Sequence, residues 1–540
     1  MNLAAGRGLI SNRLEQTADM RDRLRVATDY LLVFAVFLVV GGDRTPAVNE
    51  PHYLTRLKHY WDPDWVRGDF FLDSPDAHLT VVLLFGWTTL LLPLPAVAWL
   101  GRLLSWALLA WAWRRLSWRV TPVWGVAPLT AAVWCVGILW GHFGGEWVVG
   151  GFEAKVPAWA LVIAALGSYV RDEWNRVWCL LGAASAMHVL VGGWSVVLLG
   201  GVWLLRHRST APLHAMAPGL AIGGVLSLAG LAPPLVMNSG VSPEVAAEGA
   251  RIYVFDRLPH HLAPLSMKVE WLLVRGSSHA AVLLALAAVS VWAHRSEDRG
   301  AVRRLCRFAW GAVLLAGCGM LIEASLAADP AAAAGLLRYY WFRMTDIAAP
   351  LAAALGFGAW LAGGLPEKKP WASVGLAALL LVAGSCFGAL VPKRLDQPAP
   401  ADLHMRDGSA WIDVCRWAAD ETPDGTLFLT PRASNSFTWR TGRPELVVHK
   451  HIPQNAAGLV EWWGRLQEVY RRPGAASDAP NAWLGAPSEL GAARLREIAE
   501  RHGIDFVISY RRRPASLPVV YQNRTFVVYD VRPMPTEDSL

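Results

Sequence analysis

Charge is scarce in this chain. Asp, Glu, Lys and Arg together make up 17% of its 540 residues, against roughly a quarter in ordinary soluble domains. Cysteine is also sparse and badly placed for cross-linking. Five of the six (Cys135, Cys179, Cys306, Cys318 and Cys386) lie in or beside apolar runs, and only Cys415 lies in the C-terminal part, which excludes an internal disulfide there. No CxxC pair or His/Cys metal spacing occurs, nor does GxGxxG, GxxxxGK, GxSxG or HExxH, so dinucleotide, P-loop, serine-hydrolase and zincin chemistry lack their signatures. The net charge of +7 is carried by short Arg clusters between apolar runs, a distribution that sets topology and does not point to nucleic acid.

Apolar residues are abundant: 54% of the chain, with 29 Trp. Apolar runs recur from Tyr30 to Val391, and after Lys393 charge, proline and polar residues take over. The expected architecture is a polytopic α-helical membrane protein of about eleven spans with a C-terminal soluble α/β domain. The expected parts are an N-terminus at 1–27, a membrane domain at 28–391 with a long first outer loop at 43–93, and a folded tail at 392–540. The spans are expected at 28–42, 94–113, 121–141, 157–170, 175–190, 193–205, 213–236, 273–293, 306–326, 345–364 and 371–391. The run 79–99 competes with 94–113 for the second crossing. The first run lacks a small-residue cleavage site and is read as a retained anchor.

Lys and Arg cluster in alternate connections: Arg7, Arg13, Arg21, Arg23 and Arg25; then Arg114, Arg115 and Arg119; Arg171 and Arg176; Arg206 and Arg208; Arg295 to Arg307; Lys368 and Lys369. The positive-inside rule then puts the N-terminus in the cytoplasm and, with an odd number of crossings, the tail outside the plasma (inner) membrane.

The first outer loop carries seven carboxylates (Asp43, Glu50, Asp62, Asp64, Asp69, Asp73 and Asp76) among aromatic and His residues, far more than a connector needs. Glu50, beside Asn49 and His52, falls just beyond the first span, where partial desolvation would raise its pKa and suit it to general-base work. The second outer loop places Glu146, Glu153 and Lys155 among glycines. Arg251–Lys268 offers Asp256, Arg257, His260 and His261, and RYYWFRMTD places Arg338 and Arg343 outside against the basic trend, as candidates for a lipid-phosphate clamp. In the tail, helices at 409–419, 457–470 and 489–501 alternate with strands at 426–430, 445–450 and 504–509, and a hairpin closes it at 518–531. That order predicts a mainly parallel sheet with an antiparallel edge. Arg432, Trp439, Arg440, Arg443 and Lys450 are its surface candidates for recognition.

The layout resembles the GT-C superfamily of membrane glycosyltransferases. The resemblance is carried by Glu50 in NEPHY after the first span, Arg102 in WLGRLLSWALL opening the next, and SAWIDVCRWAADETPDGTLFLTP (409–431) opening the tail. Glu421 stands where oligosaccharyltransferase-like members have Asn, and no WWDYG follows. Phe342–Asp346 and the tail pattern Arg443, Lys450, Pro453, Gln454, Glu461, Trp462, Arg465 are more particularly similar to a group of bacterial multi-pass proteins whose C-terminal domain has no assigned function. The resemblance implies transfer of a sugar from a polyprenyl-phosphate donor to a glycan, lipid or protein acceptor outside the membrane. Glu50 would be the catalytic base or hold a divalent metal (Mg or Mn). Arg102, Arg338 and Arg343 would neutralise the phosphate, and His52, Glu146, Glu153, Lys155, His260 and His261 would line the substrate site. The competing readings are a transporter or lipid flippase, which the near absence of mid-span charge and of an internal repeat disfavours, and a non-catalytic envelope scaffold.

Overall fold

A computed structural model describes residues 3–364, 369–472, 474–475 and 482–533. Lys368 lies outside these, and of residues 3–19 and 21 only the backbone is described, so nothing follows for the side chains of Arg7, Arg13 and Arg21. Helix α1 (Leu3–Gly41) leads to the outer loop, which holds α2 (Glu50–Trp61) and α3 (Leu79–Phe85), and α4 (Leu94–Val120) crosses back. The run at 79–99 is therefore broken. Pro93 stands in extended backbone as the N-cap of α4, and 79–90 forms a short helical shelf. There follow α5 (Val126–Gly141), α6 (Lys155–Tyr169), α7 (Trp174–Met187), α8 (Val189–Arg206) and α9 (Leu213–Val236). Outer helices α10 (Pro243–Arg251) and α11 (Pro259–Leu262), α12 (Val269–His294), α13 (Gly300–Ser325), α14 (Pro330–Leu337), α15 (Arg343–Gly364) and α16 (Pro370–Asp396) complete this part.

Among the described residues, eight helices are long and apolar enough to cross a membrane. The expected spans at 121–141, 157–170 and 175–190 form helices of 16, 15 and 14 residues, shorter than the usual ~20. They are short because they sit inside the bundle: α6 is buried along its whole length, and the buried Trp106, Trp113, Trp134 and Trp159 fill the layer around it. Small residues let α7 and α9 approach closely. A Cβ at Gly182 would collide with the backbone of Gly223, and one at Gly230 with that of Ser185. The chain is an integral membrane protein.

The tail is a four-stranded sheet, β1 (Phe428–Leu429), β2 (Phe506–Tyr510), β3 (Val519–Gln522) and β4 (Phe526–Asp530), in the order β1-β2-β4-β3. Only β1–β2 is parallel; β2–β4 and β4–β3 are antiparallel, which corrects the expected mainly parallel sheet. The reason lies at 445–450: this apolar run forms only an isolated bridge, Phe428 to Glu445, and otherwise threads the core as irregular chain. Alternation along β2 sends Phe506, Ile508 and Tyr510 to one face, under α17 (Gly408–Glu421) with Trp411, Val414 and Cys415. Val507 turns to the other face, under α19 (Ala456–Tyr470) and α20 (Ala492–His502). α18 (Phe437–Thr441) faces the outer loop, and the tail is joined to that loop by Asn435 Nδ2 donating to Val48 O (2.6 Å), Ala77 N to Gln454 Oε1 (2.7 Å) and Glu445 N to Asp69 Oδ2 (3.1 Å).

Candidate functional site

Glu50 is fully buried and its two oxygens are already occupied. Oε1 accepts from Arg102 Nε (2.6 Å) and Phe152 N (3.0 Å), and Oε2 accepts from Arg102 Nη2 (2.6 Å) and Ala47 N (2.7 Å). Arg102, equally buried, spends its remaining terminal nitrogen on Asp43 O (2.5 Å). This two-pronged pair ties the start of α2 to α4 and to the second outer loop. It takes up the four lone-pair positions of Glu50 and commits three of the five N–H donors of Arg102. In this geometry both side chains hold the outer loop to the helix bundle.

The open chemistry lies one loop further on, at the N-terminus of α6. Glu146 is buried between two cations: Oε1 is 3.0 Å from Lys155 Nζ and Oε2 is 3.0 Å from Arg343 Nε. Burial alone would raise its pKa, but Lys155 and Arg343 outweigh burial and hold it below the ordinary glutamate value. Glu153 is less constrained. One oxygen accepts from Asn49 Nδ2 (2.5 Å), and the other lies 3.4 Å from the same Lys155 Nζ, whose ammonium also sits 3.9 Å over the Trp147 ring. Two adjoining clefts open on this cluster. One is lined by Tyr53, Asp76, His78, Phe152 and Glu153; the other by Glu146, Trp159, His188, Tyr340 and Arg343. His78 and His188 face each other between them, with ring centroids 5.4 Å apart.

Asp346 braces the loop beside the second cleft. Its carboxylate accepts from Phe143 N (2.7 Å), Gly144 N (3.2 Å) and Glu146 N (3.0 Å), so the head of α15 carries the loop that presents Glu146. Arg343 stands one turn earlier on the same helix, its guanidinium 3.6 Å from the Tyr340 ring centroid.

Of the residues singled out in the sequence, Glu146, Glu153, Lys155 and Arg343 come together. Arg338 does not: it is turned outward onto its neighbour Tyr339, donating to its hydroxyl at 2.9 Å. His52 is buried between Phe71 and His451, away from the clefts. His261 donates from Nδ1 to Gly144 O (2.6 Å) and packs against the His260 ring, giving both a part in holding the loop. Burial, helped by Arg257, pushes His260 down to about 4. Among the described residues no group of three His, Cys, Asp or Glu side chains converges as metal ligands.

Residues 409–469 match the family model described as a domain of unknown function, DUF6798. No curated protein matches the chain. Among solved structures it is similar to the oligosaccharyltransferase of Archaeoglobus fulgidus in complex with zinc and sulfate, at 12% identity and a TM-score of 0.45, over 90% of this chain and 68% of that one. It is also similar to ArnT from Cupriavidus metallidurans: 15% identity and 0.41 in the apo state (96% and 98% of the two chains), and 13% and 0.39 bound to undecaprenyl phosphate (95% and 98%).

Sequence reading missed Tyr53, Asp76, His78, Tyr340 and Asp346 as parts of one place. Asp76 is held by Arg56 Nε at 3.1 Å and caps His78 N at 2.7 Å. Burial would raise this carboxyl, but Arg56 and then His78 reverse that and keep it well below the usual carboxylate range. Of the tail candidates, Arg440 is paired with Asp402, Arg443 is buried on Asp424 and the Thr422 carbonyl, and Trp439 packs against the outer loop.

Proposed function

We propose that this chain is a membrane glycosyltransferase of the GT-C kind that moves a sugar from a polyprenyl-phosphate donor to a hydroxyl acceptor outside the membrane. The observation that carries the reading is the buried Glu146–Lys155–Arg343 triad with Glu153 beside it, at the foot of two clefts where helix ends meet the outer loops. Lys155 and Arg343 would hold the donor phosphate, and Glu146 keeps both cations in place. Glu153, the less committed carboxylate, would take the acceptor proton. The acceptor oxygen bonds to the anomeric carbon, the bond from that carbon to the phosphate oxygen breaks, and the phosphate leaves with the electron pair. Its growing negative charge falls on Lys155 and Arg343 in a site screened from water, where such stabilisation counts most.

The test is native mass spectrometry of the full chain purified in mild detergent with added undecaprenyl phosphate, followed by transfer assays from undecaprenyl-phosphate-linked sugars. Wild type should retain the lipid, Arg343→Ala should lose it, and Glu153→Gln should retain it while transfer falls about a hundredfold or more. Wild type without affinity for the lipid phosphate would remove the basis for this reading.

A further inference from the structure

The cluster at the foot of the clefts is electrically balanced: two carboxylates face two cations. Beside it stand three further cations with no carboxylate of their own, Lys450 feeling only Glu153, which Lys155 already holds. Arg257 ends the π-helical turn Ile252–Arg257, is 9% exposed, and has a buried Nε with no hydrogen-bond partner. Arg432 and Lys450 come from the tail, on segments joined by His449 N donating to Arg432 O (3.1 Å). Among the described residues none of the three cationic groups has a carboxylate partner or a hydrogen bond; Arg432 has only the face of Trp483, 4.8 Å away. Neighbouring acids are already committed: Asp256 to Arg251 (2.9 Å), and Glu153 to Asn49 and Lys155. The Tyr253 and Tyr340 hydroxyls, 2.5 Å apart beside Arg257, share one hydrogen bond and keep one proton to donate.

Like charges held together in a partly desolvated place repel one another, and a bound anion relieves that repulsion. We propose that Arg257, Arg432 and Lys450 form an oxyanion subsite that takes a phosphate-class group, so that the substrate carries a second anionic group besides the donor phosphate. The subsite is shared between the membrane domain and the tail, and it gives the tail a binding task. Burial first, and Arg257 next, bring Lys450 down to about 8, and burial with Arg257 and Arg432 holds His449 far below the ordinary histidine value. Guanidinium groups suit such a ligand because two parallel N–H donors match two phosphate oxygens. The inference rests on the reading above only for the second phosphate; the anion site itself can be tested without transfer.

The experiment is calorimetric titration of the full-length protein in detergent with inorganic phosphate, and separately with undecaprenyl diphosphate in mixed micelles. Wild type should bind, Arg257→Gln and Lys450→Met should each weaken binding about tenfold or more, and Arg338→Gln, whose side chain is turned outward onto Tyr339, should bind inorganic phosphate as wild type does. A loss seen only with the lipid diphosphate places the donor's second phosphate in the subsite; a loss seen with inorganic phosphate places an anionic acceptor there. No binding of either ligand by wild type, or equal binding by the variants, overturns the proposal. The ligand-free variants should unfold at or above the wild-type temperature, because a repelling cation has been removed. Unfolding well below it would also overturn the proposal, by showing that the cation has a structural partner.

Discussion

Two carboxylates about a hundred residues apart show how surroundings decide what a side chain does. Glu50 accepts four hydrogen bonds and faces a guanidinium at 2.6 Å, whereas Glu153 keeps lone pairs directed into a cleft. Lys450 is the residue on which pH acts most directly. Its folded-state pKa of about 8 lies below the ordinary lysine value near 10.4, so the folded protein releases this proton first as pH rises. The cost of holding the ammonium is therefore felt in full below about pH 8 and fades between about 8 and 10.4, where stability from this group rises with pH. Anion binding runs the other way. With sulfate, which stays dianionic throughout, wild-type affinity should fall as pH passes about 8, and Lys450→Met should give a flatter profile. An unchanged profile in Lys450→Met would assign the pH dependence to another group.

At the scale of elements, the first outer loop is held by a few buried polar ties more than by its own helices. Arg102→Ala leaves the Glu50 carboxylate buried without its cation and should cost about 3–5 kcal/mol, read as a lower unfolding temperature and faster proteolysis of 43–78. Glu50→Gln should weaken the loop by the same route yet leave transfer per folded molecule intact; loss of transfer from well-folded Glu50→Gln would return the catalytic role to that residue. The Asp346 cradle is of the same kind: three backbone N–H groups on one carboxylate fix the loop that carries Glu146. Such ties escape sequence reading because the spacing of residues 102, 146, 343 and 346 says nothing until helix packing sets them side by side. The apolar helices were legible because an apolar run is a local property, and each expected span forms a helix. The strand expected at 445–450 failed for the opposite reason. A fully buried run such as ELVVHK lacks the alternation that separates a strand from irregular core chain, and the side chains of Glu445 and His451 pair with each other there.

For the whole molecule, the Arg clusters argue for a tail outside the membrane, and the Arg257–Arg432–Lys450 grouping gives that placement a purpose. Glu421→Cys, at an exposed end of α17, should react with a membrane-impermeant maleimide added to spheroplasts; labelling only after lysis would reverse the orientation. Legibility ended at this scale. The clefts draw on residues from Tyr53 to Met344, and the oxyanion group adds Arg432 and Lys450, distances in sequence that only the fold closes.

The short central helices have a consequence of depth. α6 and α4 meet at their inner ends, where Arg119 lies 3.5 Å from Glu173, just beyond α6. At 1.5 Å per residue, α4 rises about 40 Å from that level and α6 only about 22 Å, against a hydrocarbon layer of about 30 Å. Lys155, the first residue of α6, therefore stands about 18 Å lower along the bundle than the outer end of α4. A sugar carrier dissolved in water would have to descend to it, whereas one already lying in the leaflet would arrive nearly level. On the glycosyltransferase reading proposed above, the length of one buried helix would thus act as a filter on how the donor is delivered, before any side chain has recognised it.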